Sequence, residues 1–352
     1  MSAELSAKLA TFIDPFLQQP WQTLASSLNL QAKDGVLEVA VSLPYPAQAQ
    51  QGLLSQQLQQ WLGQPVRLQT TLVLPASQSK IAALPGVKHV VAVASGKGGV
   101  GKSTTTVNLA LAMASLGARV GILDADIYGP SQGMMLGIAE GTRPQPLSET
   151  LMAPLQAHGL QAMSMAFLVD TRQPMVWRGP MASGALQQLI NQTAWDDLDV
   201  LFVDMPPGTG DIQLTLAQRM PVSGAVIVTT PQDIALLDAQ KGVEMFRKVQ
   251  IPVLGVVENM SLHRCSACGH SEAIFGAGGG ERIAADYQTQ LLGQLPLTLK
   301  IRQQADSGKP TVIAEPEGEE AAIYRDIAFK LTLALYQQAG QQSLPSFEVS
   351  DD

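Results

Sequence analysis

Cysteine is almost absent from this 352-residue chain, which contains only Cys265 and Cys268. A disulfide framework is thereby excluded, and the pair points to metal or redox chemistry. Charged residues are also sparse at 15%, and cations are the scarcer sign, with 22 Lys and Arg against 30 Asp and Glu for a net charge of -8. Proteins that grip nucleic-acid phosphates carry clustered cations and a positive field, so no nucleic-acid partner is expected. No apolar run approaches the roughly 20 residues of a membrane span, and Met1-Ser2-Ala3-Glu4 lacks the basic and apolar stretches of a signal peptide. A cytoplasmic setting with no membrane partner is the expectation. What the chain does have is 46% hydrophobic residues, enough for one large domain and a smaller one.

The most informative segment is Gly96-Lys97-Gly98-Gly99-Val100-Gly101-Lys102-Ser103-Thr104. Its spacing G-x-x-x-x-G-K-[ST] completes a phosphate-binding loop, with a second lysine near its start. Before it, His89–Ala94 reads as a buried strand, and after it Thr104–Ser115 reads as an amphipathic helix. Glycines let consecutive backbone N–H groups turn inward around a polyphosphate, and the helix N-terminus adds a favourable dipole. ATP is the expected ligand, with Lys102 on its β- and γ-phosphates and the Ser103 hydroxyl on Mg²⁺. Lys97 is spare in that scheme and sits where a cation reaches a nucleotide held by another subunit, as an arginine finger does.

Around this loop the pattern predicts an α/β fold, a doubly wound, mostly parallel sheet of the P-loop NTPase kind, with a small N-terminal α/β domain. Residues 1–75 alternate helix-like and strand-like stretches: a helix over Glu4–Leu17, a strand over Val36–Leu43, a helix over Gln48–Leu62 and a strand over Val66–Leu74. Residues 76–88 read as a linker and 89–340 as the ATPase domain. Within that domain Arg119–Leu123, Val200–Val203, Ala225–Val228 and Val253–Val257 are interior strands. Residues 341–352 form a polar tail.

Two acidic motifs end predicted strands, Asp124-Ala125-Asp126-Ile127-Tyr128-Gly129-Pro130-Ser131 and Asp204-Met205-Pro206-Pro207-Gly208-Thr209-Gly210-Asp211. Hydrolysis of a phosphoanhydride needs neutralised charge and an oriented water, which assigns Asp204 to Mg²⁺, Asp126 to the attacking water and Asp124 to shaping the loop. The stiff Pro206-Pro207 followed by mobile Gly208 and Gly210 suits a segment that senses the γ-phosphate.

The set of motifs SGKGGVGKSTT (95–105), DADIYGPS (124–131), VWRGPM (176–181), DMPPGTGD (204–211), ENMS (258–261) and CSAC (265–268) resembles the Mrp/ApbC-type iron–sulfur cluster carrier ATPases. Those belong to the P-loop group that includes MinD, ParA and nitrogenase iron protein. The resemblance spans residues 85–340. It implies a homodimer in which Lys97 contacts nucleotide across the interface and Asn259 reads the adenine edge. Partners would be apo iron–sulfur client proteins and cluster-assembly factors. The first region resembles the small domain often fused to such carriers, with Asp14-Pro15 a partial echo of its motif. It holds no cysteine here, so docking or regulation replaces cluster ligation as its expected role.

Cys265-Ser266-Ala267-Cys268-Gly269 has the spacing for two thiolates on one metal centre. Two such pairs meeting at a two-fold axis supply the four thiolates of a [4Fe–4S] cluster. His263 and His270 leave open a Cys₂His₂ zinc knuckle within one chain, and a redox pair is a third reading. Ser261–Gly280 reads as a glycine-punctuated loop. Six positions separate Asn259 from Cys265, so nucleotide state is expected to reach the thiols. A MinD- or ParA-like positioning ATPase is the competing function. It calls for a basic face, whereas the terminal Ser343–Asp352 is acidic.

Overall fold

The computed structural model describes residues 2–33, 35–77, 81–168, 179–265 and 267–342. Trp177 and Arg178 of the VWRGPM motif, Ser266 and most of the polar tail lie outside them. The chain divides into two compact units: the first 76 residues with 116–118 and the chain from Thr332, and residues 77–115 with 119–331.

The small unit is a three-stranded sheet, β1 (Ser27–Lys33), β2 (Val36–Leu43) and β3 (Val66–Leu72). β1 pairs antiparallel and β3 parallel to the central β2. Alternation does the work in β2: Leu37, Val39, Val41 and Leu43 are all buried while the residues between them are half-exposed. The crossover helix Gln51–Leu62 buries Leu54, Leu58 and Leu62 along one stripe and stops at Gly63, whose φ of 74° closes the last turn.

The expected helix over Glu4–Leu17 is shorter, ending at Ala10. The cause is Asp14-Pro15: proline disfavours helix in the residue before it, and the Asp14 carboxylate instead accepts the N–H groups of Phe16 and Leu17, both at 3.0 Å. Its other oxygen takes the Trp21 indole N–H at 3.1 Å and the Tyr45 hydroxyl. Asp14, Trp21 and Tyr45 are all fully buried. Burial and the adjacent carboxylate hold the Tyr45 phenol above its ordinary pKa, so it remains a donor.

The large unit carries an eight-stranded sheet. In chain order its strands are β4 (Val87–Ala94), β5 (Val120–Asp124), β6 (Leu155–Ala157), β7 (Leu160–Ser164), β8 (Leu198–Asp204), β9 (Val222–Thr229) and β10 (Val253–Glu258). After a separate hairpin, β11 (His263–Arg264) with β12 (Ser271–Glu272), comes the last sheet strand, β13 (Leu291–Gln294). The spatial order is β13-β10-β9-β4-β8-β5-β7-β6. All neighbours are parallel except β6, which returns on β7 through His158 and Gly159 at φ 50° and 79°, the backbone that a tight hairpin requires. Every residue of β5, β8 and β9 is buried, as expected for strands covered on both faces. β4 lies between β8 and β9, so the chain winds outward from it in both directions. Ligands of doubly wound sheets sit at the carboxyl ends of strands at such a reversal.

Replacing Asp14 with alanine strands the Trp21 and Tyr45 donors in an apolar interior. The loss expected is about 2–4 kcal/mol, read from the midpoint of urea unfolding of the full chain.

Candidate functional site

At the carboxyl end of β4 the chain turns through Ser95–Gly101 into the helix Lys102–Ser115. Gly99 and Gly101 both have φ of 82°, which L side chains rarely adopt. At Gly96 the constraint is space, since a Cβ there would lie 2.1 Å from the Asp238 backbone. The loop is roped to the segment after β8, where Met205 N–H donates to the Val93 carbonyl and Gly208 N–H to the Ser95 carbonyl, both at 3.0 Å. Lys97 is half-buried and Gly98 exposed.

Beneath the loop Lys102 is 6% exposed, and its Nζ donates to Asp204 Oδ1 at 2.5 Å and to Ser103 Oγ at 3.1 Å. Asp204, wholly buried at the end of β8, also receives the Thr106 hydroxyl at 3.1 Å on Oδ1 and the Gln132 Nε2 at 2.8 Å on Oδ2. The assigned lysine and the assigned carboxylate are thus brought together, with Ser103 beside them. Thr106 and Gln132 complete the cluster and carry no motif that would have marked them; only their register against Asp204 does.

Asp124 ends β5 directly across from Asp204 in the sheet register. Its carboxylate accepts the N–H groups of Asp126 at 3.2 Å, Ser131 at 2.9 Å and Gln132 at 3.0 Å. It therefore builds the turn, while Asp126 stands half-buried in the same turn, free of the sheet. Burial first, then the charge on Asp204, pushes the Asp124 carboxyl up to about 7. Burial also raises Asp126, against the opposing charge of Lys102.

Asn259 follows β10, its N–H donating to Thr229 at 2.7 Å. Its side-chain Nδ2 donates to the Val100 carbonyl at 2.8 Å, so this amide lies on the phosphate loop itself. Gln232, a further candidate for the base, accepts the Thr230 hydroxyl at 2.9 Å just before the helix Asp233–Lys248. Gly276–Gly280 leads into the helix Gly279–Asp286, where Gly280 N–H donates to the buried Glu258 at 2.6 Å. Arg302 pairs with Asp306 on an exposed helix face at 2.7 Å, and Met163 and Met165 are core residues.

The stretch Ser261–Gly280, expected as a loop, instead contains the hairpin β11–β12, with His263 opposite Glu272 and Arg264 opposite Ser271. Between the strands, Cys265 N–H donates to the His270 carbonyl and Gly269 N–H to the Cys265 carbonyl, both at 2.8 Å. Gly269, at φ 73°, makes this knuckle possible. Backbone N–H groups of Cys268 and Ala267 reach the Cys265 sulfur and lower its thiol pKa, favouring a thiolate. Cys268 is exposed and Cys265 half-exposed at the wall of a cavity of about 1270 Å³. The His263 ring bonds the Leu297 carbonyl at 3.1 Å. Among the described residues no group of three or more His, Cys, Asp and Glu is placed to hold one ion. A redox pair of the thioredoxin kind opens a helix, and this pair does not.

A pH signature follows from Asp124. A carboxyl raised above its unfolded value binds its proton more tightly when folded, so its contribution to stability is present below about pH 4 and is lost as pH rises through about 7. The Asp124→Asn variant should lack that decline, so wild type loses stability relative to the variant between pH 4 and 7 in parallel urea titrations.

Comparison with known proteins identifies the family and the fold. The family model described as ParA, NUBPL iron-transfer P-loop NTPase, matches residues 86–332. The chain is 68% identical over 252 residues to the iron–sulfur cluster carrier protein of Pseudomonas fragi, covering 72% of this chain and 88% of that one. It is 50% identical over 348 residues to the protein of the same name in Salmonella typhimurium, covering 96% and 93%. Among solved structures, the nucleotide-binding protein of Archaeoglobus fulgidus in complex with ADP superposes with a TM-score of 0.58 at 34% identity, over 68% of this chain and 92% of that one. The chain belongs to the family of NUBPL iron-transfer P-loop NTPases.

Proposed function

We propose that this protein is an ATP-hydrolysing carrier that binds a [4Fe–4S] cluster at a homodimer interface and transfers it to apo-proteins. The observation that carries this reading is the knuckle: two accessible thiols, one of them favoured as thiolate by backbone N–H groups, with no third His, Cys, Asp or Glu grouped with them among the described residues. Two chains related by a two-fold axis supply the remaining pair. A cargo held by exposed sulfurs at a subunit contact is held reversibly, which suits delivery.

At the nucleotide end, the backbone of Gly96–Thr104 cradles the phosphates and Lys102 neutralises their charge. Lys102 must first exchange Asp204 for phosphate oxygens. The residues beside it fit a hard divalent cation: the Ser103 hydroxyl and the Asp204 carboxylate are oxygen donors, and Gln132 leaves a buried carbonyl oxygen without a donor. Mg²⁺ bound there supplies charge neutralisation on the β- and γ-phosphates. Asp126, half-buried and not tied into the sheet, orients the attacking water. Lys97 of one subunit meets the nucleotide of the other and offsets transition-state charge. Asn259 contacts the base side once a nucleotide draws it from Val100.

Anaerobic reconstitution with iron and sulfide tests the carrier: one [4Fe–4S] chromophore per dimer is expected, and none in a Cys265→Ser variant. Stoichiometric zinc in a monomer would overturn it. Lys97→Ala should leave ATP affinity within a few-fold of wild type while turnover falls on the order of 10³-fold, the scale of a cation supplied in trans. An unchanged turnover removes Lys97 from catalysis.

A further inference from the structure

Gln132 is the first residue of the short helix Gln132–Met135 and is 1% exposed. Its side-chain NH₂ donates to two acceptors, the Ser103 carbonyl at 3.1 Å and Asp204 Oδ2 at 2.8 Å. Those two acceptors determine which way the amide faces, because turning it over would set oxygen against oxygen at both. The Oε1 atom is consequently aimed elsewhere, and it is buried with no hydrogen-bond partner. A buried acceptor left bare costs about 1–3 kcal/mol, so its persistence asks for a donor that arrives with a ligand. Gln213 also has a bare buried carbonyl, but its amide binds only the backbone of Pro206 and touches neither Lys102 nor Asp204.

The surroundings say which ligand. Asp204 Oδ1 is taken by Lys102 and Thr106, and Oδ2 by Gln132. Oδ2 keeps a lone pair for one further donor, and the neutral amide already there is a weaker competitor than the ammonium on Oδ1. The same amide grips the carbonyl of Ser103, whose hydroxyl is the proposed Mg²⁺ ligand. A hydrated divalent cation brings water O–H donors, which suit both Asp204 Oδ2 and Gln132 Oε1.

We infer that Gln132 is a positioning residue for the hydrated Mg²⁺ of bound nucleotide: its NH₂ holds Asp204 Oδ2, and its Oε1 accepts a hydrogen bond from a water of the hydrated ion. The inference rests on the Mg·ATP reading above and adds a residue to it. A fluorescent ATP analogue titrated into the full chain, first with EDTA and then with increasing Mg²⁺, tests it without turnover. Gln132→Met keeps the length and removes the acceptor. It also removes both N–H donations, so the readout is Mg²⁺ dependence relative to the variant's own binding in EDTA: the Mg²⁺ concentration for half of the affinity gain should rise about fivefold to tenfold, the worth of one hydrogen bond to a polarised water. Gln132→Glu keeps the Oε1 acceptor but sets its second oxygen against Asp204 and the Ser103 carbonyl, so it should weaken analogue binding in EDTA while its Mg²⁺ midpoint stays at or below the wild-type value. An unchanged Mg²⁺ midpoint in Gln132→Met overturns the inference. If Gln132→Met loses binding in EDTA, Gln132→Glu alone decides, and a raised midpoint there overturns it. If wild type itself gains no affinity from Mg²⁺, the Mg·ATP reading fails instead.

Discussion

Lys102 and Asp204 are opposite charges sealed under the phosphate loop at 2.5 Å, and the nucleotide site is organised by what that pair demands. Burying two ions costs several kcal/mol each, which close contact and further hydrogen bonds must offset, and removing one partner costs about 3–5 kcal/mol. Thr106 and Gln132 supply the further bonds. Three segments distant in sequence are therefore drawn together: the helix after β4, the end of β8 and the turn after β5. In the proposed function, nucleotide phosphate competes for a lysine that Asp204 already engages.

The thiol end follows a different logic. There the chain buries little and relies on backbone geometry, a two-strand hairpin pinched by Gly269, to face amide donors toward Cys265. A metal site completed within one chain would be closed and retentive. A half-site leaves its cargo accessible, and the same incompleteness makes a second chain part of the proposed function. Between the ends runs a short path: Asn259 touches the loop through Val100, and Met260 takes φ of 58° before the chain enters the hairpin. Few residues separate Asn259, on the phosphate loop, from Cys265.

The small unit is held by another buried carboxylate, Asp14, which carries no opposite charge and is satisfied wholly by donors from Phe16, Leu17, Trp21 and Tyr45.

Local chemistry was readable along the chain. The glycine spacing of 96–104, the apolar runs of β4, β5, β8, β9 and β10, and the C-x-x-C pair each carry their signal within a few residues, because phosphate cradles, buried parallel strands and metal knuckles are built from neighbours. Elements with weak local signal were missed for a matching reason: β1 is a largely exposed edge strand, and β6, β7 and β13 are short. The helix expected through Leu17 broke because an Asx turn at Asp14 outcompeted it. Only tertiary structure decided who meets Asp204. Gln132 stands 72 residues from it and Thr106 98, and each is an ordinary polar residue until sheet order sets β5 and β4 on either side of β8. Pairing between distant strand ends depends on the whole sheet's register, and no local pattern encodes it.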